Sequence, residues 1–248
     1  MTVRLQNARV RAEIDPTFGA RLVSLSLDGH EVIGGADAGS GTGASIGTGC
    51  YPMLPWAGRL RDHTIHGPGR DAEWTDHGDG EFSVELTDAA GKPGVATLGY
   101  LLLDHGIEMM LAWHGEPGGW CSLGFHPWFR RQLDIGDPAV LDVNPVSMVQ
   151  RGSDHLPTGE LVPPAPPPWD DCFRLAGPPR LAGPPRLTWP GALAIDLVSD
   201  ASWWVLLDGH RGAVCVEPQT APPDAINHPS LQPDSWARSV SLVIAVRP

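Results

Sequence analysis

Thirty glycines and 26 prolines in 248 residues constrain this chain more than any other feature of it. Glycine weakens a helix interior and proline breaks one, and no apolar period of helical length survives between them. What remains is alternation with period two in short segments, the mark of half-buried strands. Arg21 to Leu27 sets Val23, Leu25 and Leu27 on one face against Ser24 and Ser26, and the turn pair Asp28-Gly29 follows. Glu81 to Leu86 opposes Phe82, Val84 and Leu86 to Glu81, Ser83 and Glu85. Ile107 to Trp113 and Ser239 to Val246 repeat the pattern, with turn signals at Asp104-His105-Gly106, Asp208-Gly209 and the glycine-rich Gly34 to Gly49. The expected fold is all-β, an antiparallel sandwich.

One stretch breaks this rhythm. Leu161 to Pro190 is proline-dense, opens with PPAPPPW at Pro163, and holds a tandem RLAGPP repeat at Arg174 and Arg180. Prolines at that density cannot sustain a ladder, so the expectation is a long extended surface connection over 161–190 inside one domain spanning 1–248.

Charge narrows the partners. Seventeen Lys and Arg against 29 Asp and Glu leave a net charge of -12, which argues against nucleic acid and anionic membrane surfaces. Apolar runs are strand-sized, and the first fifteen residues lack the apolar core of a signal peptide. The expectation is a cytoplasmic protein whose four cysteines, Cys50, Cys121, Cys172 and Cys215, are reduced. No cysteine pair has close zinc-ligand spacing and the His63, His66 pair lacks supporting context, so no metal is expected. The oligomeric state is left open.

Five segments carry reactive side chains. Cys215 to Pro229, CVEPQTAPPDAINHP, places Glu217 behind an apolar run (Ala213, Val214, Val216) and before a loop stiffened by Pro218, Pro222 and Pro223. Burying that carboxylate costs several kcal/mol unless it is paired or used. Tyr51 to Arg61, YPMLPWAGRLR, holds Arg59 in a rigid loop, as a ligand grip or as a surface ion-pair partner. Ile65-His66-Gly67 is a turn that offers one histidine. Gly124 to Phe129, GFHPWF, wedges His126 among aromatics behind an apolar strand, Cys121 to Leu123. Such a site is suited to proton transfer, or to a core histidine satisfied by a carbonyl. Trp169 to Phe173, WDDCF, closes the proline-dense stretch, and alternation turns only one of Asp170 and Asp171 to a pocket. Asp224 and Asn227 have a loop-shaping setting. A carboxylate, a histidine, an arginine and an aspartate from separate loops are the parts for proton transfer on a neutral polyol. Ten Trp against two Tyr add flat surfaces, Trp56 and Trp128 among them, that a sugar ring can lie on.

Taken in order, PMLPWAGRLRD, IHG, GFHPWF, WDDCF and CVEPQTAPPDAINHP resemble the motifs of the aldose 1-epimerase (galactose mutarotase) family. The resemblance implies a β-sandwich of the galactose mutarotase type and interconversion of the α and β anomers of a free aldohexose, without a cofactor. It implies Glu217 as general base and His126 as general acid, with Arg59, His66 and Asp170 holding hydroxyls. Gly58 stands where an Asn often precedes the arginine, and Trp128 where a Tyr is usual. Two alternatives accompany it. A hexose-6-phosphate 1-epimerase would need cations at the mouth, for which Arg59 and Arg61 are the close pair. A non-catalytic carbohydrate-binding or regulatory protein would bind sugar without turnover.

Overall fold

The structure, a computed structural model, describes residues 2–34, 48–116, 119–176 and 183–247. Among them are two antiparallel sheets and no α-helix. No helix is long and apolar enough to cross a membrane.

Eleven strands form the larger sheet. From edge to edge it runs β1 (Val3–Gln6), β2 (Val10–Asp15), β3 (Arg21–Leu27), β4 (His30–Ile33), β10 (Gly124–Arg130), β18 (Ala213–Gln219), β17 (Trp203–Leu207), β14 (Asp170–Leu175), β12 (Pro145–Arg151) and β13 (Pro157–Val162), while β5 (Cys50–Met53) pairs with β3 and β10. The smaller sheet orders β11 (Val140–Asp142), β15 (Arg186–Trp189), β16 (Leu193–Ser199), β19 (Ser239–Val246), β9 (Gly106–Gly115), β8 (Pro93–Leu103), β7 (Glu81–Thr87) and β6 (Thr75–Gly78).

The main core draws on both sheets: Leu25, Phe125, Phe129, Val214 and Val216 from the larger, Phe82, Leu98, Met109, Leu197 and Leu242 from the smaller. Alternation then directs the intervening residues of β10 and β18 to the larger sheet's other face. There a second cluster forms from Tyr51, Met53, Ala57, Trp128, Ala213 and Cys215.

Two expectations are corrected. In β3 the buried residues are Arg21, Leu22, Leu25 and Leu27, with Val23 only half-buried. The β2–β3 register shifts between Glu13 and Ile14, and a bulge of that kind exchanges the faces on either side of it. The 161–190 stretch is not one continuous connection: its residues Asp170–Leu175 pair with both β12 and β17, and Arg186–Trp189 pairs with β16. The prolines are displaced to the flanks, where no ladder donor is required. The middle of the RLAGPP repeat, 177–182, and most of the glycine-rich 34–49 stretch lie outside the described residues.

Candidate active site

The site is a row of side chains on the outer face of the larger sheet. Gly124 lies opposite Gln219 and Trp128 opposite Cys215, which sets His126 directly across from Glu217. The row extends sideways in register, from Tyr51 beside His126 to Val205 beside Glu217 and Cys172 beside Val205. Both central strands have neighbours on either side, so these positions are held by the sheet itself.

Two prolines sharpen the pairing. Pro127 and Pro218 flank the His126–Glu217 pair on opposite strands and have no N–H to give the ladder. Pro218 is thus part of the strand rather than of the loop after it. The residues Cys121 to Leu123 are an irregular lead-in, with β10 beginning at Gly124.

At the centre, His126 Nε2 is 3.2 Å from Glu217 Oε1. Exposure is 6% for His126 and 2% for Glu217. Burial, and then the nearby charge of Asp170, holds the Glu217 carboxyl well above the usual carboxylate range. Burial, then His66 and Arg70, holds the His126 imidazole well below its ordinary value. Both shifts favour the uncharged forms, so the pair is poised to share one proton. The Trp128 indole lies flat on His126, 8° from parallel with centroids 5.1 Å apart, and fixes the ring.

His66 meets the edge of His126 at 5.1 Å. Its backbone is left-handed, φ 69, and reciprocal hydrogen bonds tie it to the arginine loop. Gly58 N–H donates to His66 Nδ1 at 3.1 Å, and His66 N–H donates to the Gly58 carbonyl at 2.8 Å. Because Nδ1 accepts, the ring proton sits on Nε2. Burial, with Arg70 and Arg59, lowers its pKa to about 3, so His66 is neutral over the working range. Gly58 has φ +71, and a Cβ there would lie 2.6 Å from Pro223 Cγ. This close approach explains glycine where the resemblance leads one to expect Asn.

Around this floor lies a cleft of about 240 Å³, lined by Arg59, His66, Arg70, Arg151, His155, Asp170 and Asp171 among others. That size suits a monosaccharide. Arg59 is exposed and makes no hydrogen bond or ion pair among the described residues. Both aspartates line the cleft, contrary to expectation: Arg151 Nε is 2.8 Å from Asp171 and its Nη1 3.6 Å from Asp170. Asp170 opens β14, and the long arginine fork reaching across from β12 draws both acids. Arg61, in contrast, turns away from the cleft; its N–H donates to Asp224 Oδ1 at 2.9 Å and its guanidinium is 3.9 Å from Asp154. Asp224 also accepts from Asn227 Nδ2 at 2.7 Å, the loop-shaping role expected of that pair.

All five anticipated residues, Arg59, His66, His126, Asp170 and Glu217, therefore converge. Spacing alone did not disclose Arg70, delivered by the Pro68–Arg70 turn, Arg151 from a distant strand, or Tyr51. Gln219 was within reach of a period-two argument, standing two residues beyond Glu217 on the same face.

Comparison with known proteins places this architecture. No protein-family model matches the sequence, and no curated protein matches it. Solved structures do: a galactose mutarotase-like protein from Clostridium acetobutylicum has TM-score 0.80 and 16% identity, covering 99% of this chain and 94% of that one. The chain has the galactose mutarotase-like fold. An aldose epimerase homologue from C. elegans follows with TM-score 0.76 and 17% identity, over 100% of this chain and 98% of its own. A galactose 1-epimerase from Lactobacillus acidophilus has TM-score 0.76 and 14% identity, over 99% and 94%. Identities this low speak to the galactose mutarotase-like fold alone, so the chemistry has to be argued from the site.

Proposed function

We propose that the protein is a cofactor-independent aldose 1-epimerase that interconverts the α and β anomers of a free aldohexose. The observation that carries this is the buried His126–Glu217 contact of 3.2 Å on the floor of a monosaccharide-sized cleft. Glu217, as carboxylate, takes the proton of the anomeric hydroxyl while protonated His126 gives one to the ring oxygen, and the C1–O5 bond opens. The pair is left as carboxylic acid and neutral imidazole, the forms that burial favours. Rotation about C1–C2 and reclosure on the other face return both protons. His66 Nε2–H and Arg59 donate to hydroxyls, and Asp170 accepts from one. Each positioned proton-transfer group contributes typically ~10²- to 10⁴-fold, enough for a reaction that also proceeds in water. The cytoplasm is the compartment we assign, since four buried free cysteines suit a reducing one.

Anomer exchange followed by NMR on freshly dissolved α-aldoses tests the proposal. A rate above the spontaneous one is expected, falling ~10²-fold or more in Glu217→Gln; no acceleration with any common aldose refutes it. The phosphorylated alternative rests on Arg59, because Arg61 is held by Asp224, Arg70 by Asp71 and Arg151 by two acids. Rates on glucose and glucose 6-phosphate compared side by side decide between them. Calorimetry showing sugar bound without exchange would instead support a binding protein.

A further inference from the structure

We propose that His126, Cys215 and Glu217 form a site for a thiophilic divalent cation such as Zn²⁺, and that an ion held there switches off the acid–base pair. One donor atom from each of the three lies within 4.8 Å of the other two, and all three residues are buried. They form the one such group of three or more metal-ligating side chains found among the described residues. Zinc bonds of roughly 2.0–2.3 Å put tetrahedral ligand atoms about 3.3–3.7 Å apart. The His126–Glu217 separation of 3.2 Å is already there, and the thiol needs to close by about 1.5 Å at most.

The arrangement is set by backbone rather than by loops. Cys215 and Glu217 are alternate residues of β18 and share a face, while His126 faces Glu217 from β10. The thiol is also free to ligate. Cys215 Sγ makes no hydrogen bond among the described residues, where the Cys121 thiol donates to the Ala237 carbonyl. The set of thiolate, imidazole and carboxylate is one that zinc takes readily and magnesium or calcium does not.

Binding exchanges the Cys215 thiol proton, and the Glu217 proton where it is present, for the ion, the protons passing to solvent. No oxidation is involved. His126 and Glu217 line the cleft, so water or a sugar hydroxyl can reach the ion as its fourth ligand. Glu217 and His126 are then both coordinated and unable to move protons. Cation binding stands independently of the epimerase proposal; only the switch rests on it.

Co²⁺ added to the full-length protein under a non-thiol reductant provides the test. One equivalent should bind with a thiolate-to-cobalt charge-transfer band, displaced by Zn²⁺. The band should vanish in Cys215→Ser and Cys215→Ala but persist in Cys172→Ser, which alters a cysteine that lines the cleft. Absence of the band from the wild-type protein, or its survival in the Cys215 variants, overturns the proposal. Should those variants fail to fold, Glu217→Gln and His126→Gln each remove one donor and should weaken Co²⁺ binding at least tenfold; unchanged affinity overturns it. In the activity arm, Zn²⁺ should inhibit anomer exchange competitively with sugar, and at least tenfold less strongly in Cys215→Ala relative to that variant's own rate. An inactive wild-type protein that still shows the cobalt band would refute the epimerase proposal and leave the cation site standing.

Discussion

Replacing Glu217 by Gln should stabilise the protein at neutral pH and leave its stability in acid nearly unchanged. The side chain is 2% exposed, its nearest partner is a histidine held neutral, and the nearby Asp170 charge repels it. Ionised Glu217 therefore gives up water for no more than a Gln219 hydrogen bond, the weakest of these influences, whereas glutamine fills the same volume uncharged. The sign follows from linkage. Because the folded-state pKa is raised, folding is most favoured while the carboxyl is protonated, and stability is lost as pH climbs from the unfolded value of ~4.3 through the folded one. The variant has no such loss. Every unit by which burial raises the pKa appears as about 1.4 kcal/mol of difference above the folded value. A gain of about 1–3 kcal/mol at neutral pH is expected, the cost of a buried polar group left short of partners. Denaturant unfolding of both proteins from about pH 4 to pH 8, with equal m-values, isolates the effect. The lowered pKa values of His66 and His126 act in the opposite direction, weakening both proteins in acid, and largely cancel in the comparison. A difference that does not change with pH, or a variant less stable at neutral pH, would refute the assignment of Glu217 as an uncompensated buried acid.

Four further outcomes follow from the same geometry. Gly58→Asn should lower the unfolding free energy by about 1–3 kcal/mol, an overpacking cost, because its Cβ would lie 2.6 Å from Pro223 Cγ; an unshifted denaturation midpoint would show that the loop yields freely. The one-proton pair should give a broad pH–rate bell whose acid limb lies below pH ~6.5, since His126 is displaced downward. Asp170→Asn, which removes the charge that raises Glu217, should move the alkaline limb to lower pH, and an unmoved limb would count against that coupling. Arg59→Ala should raise KM with little change in kcat, as loss of a rim contact made equally to substrate and transition state does. A fall in kcat at constant KM would place Arg59 at the reacting atoms instead.

The parts of the site legible in the sequence are those governed by alternation along a single strand. GFHPWF sends Phe125 and Phe129 to the core and His126 and Trp128 to the opposite face, and CVEPQ does the same with Val216 against Cys215 and Glu217. Arg59 and Arg61 share the same local spacing, yet only Arg59 borders the cleft; the difference is Asp224, 163 residues away, which captures the backbone and side chain of Arg61. Arg151 and Arg70 were hidden for a related reason, since their place depends on which strands become neighbours and on how a three-residue turn ends. The bulge at Val23 likewise leaves no mark in the hydrophobic pattern, because it shifts pairing without altering composition.

Sheet register thus explains how the site is held in place. Tyr51, His126, Glu217, Val205 and Cys172 occupy one transverse row over five strands. A one-residue slip in any strand would turn its member of the row toward the core and carry an apolar neighbour outward. The inter-sheet core resists such slips: Phe125, Phe129, Val214, Val216, Phe173 and Leu206 are all completely or almost completely buried. The packing that stabilises the fold and the geometry that sets Glu217 against His126 are enforced by the same alternation. Substitutions that preserve apolar and polar parity can therefore accumulate across the sheets without disturbing the pair, while loops such as Gly58–Arg59 vary the grip on whatever sits above it.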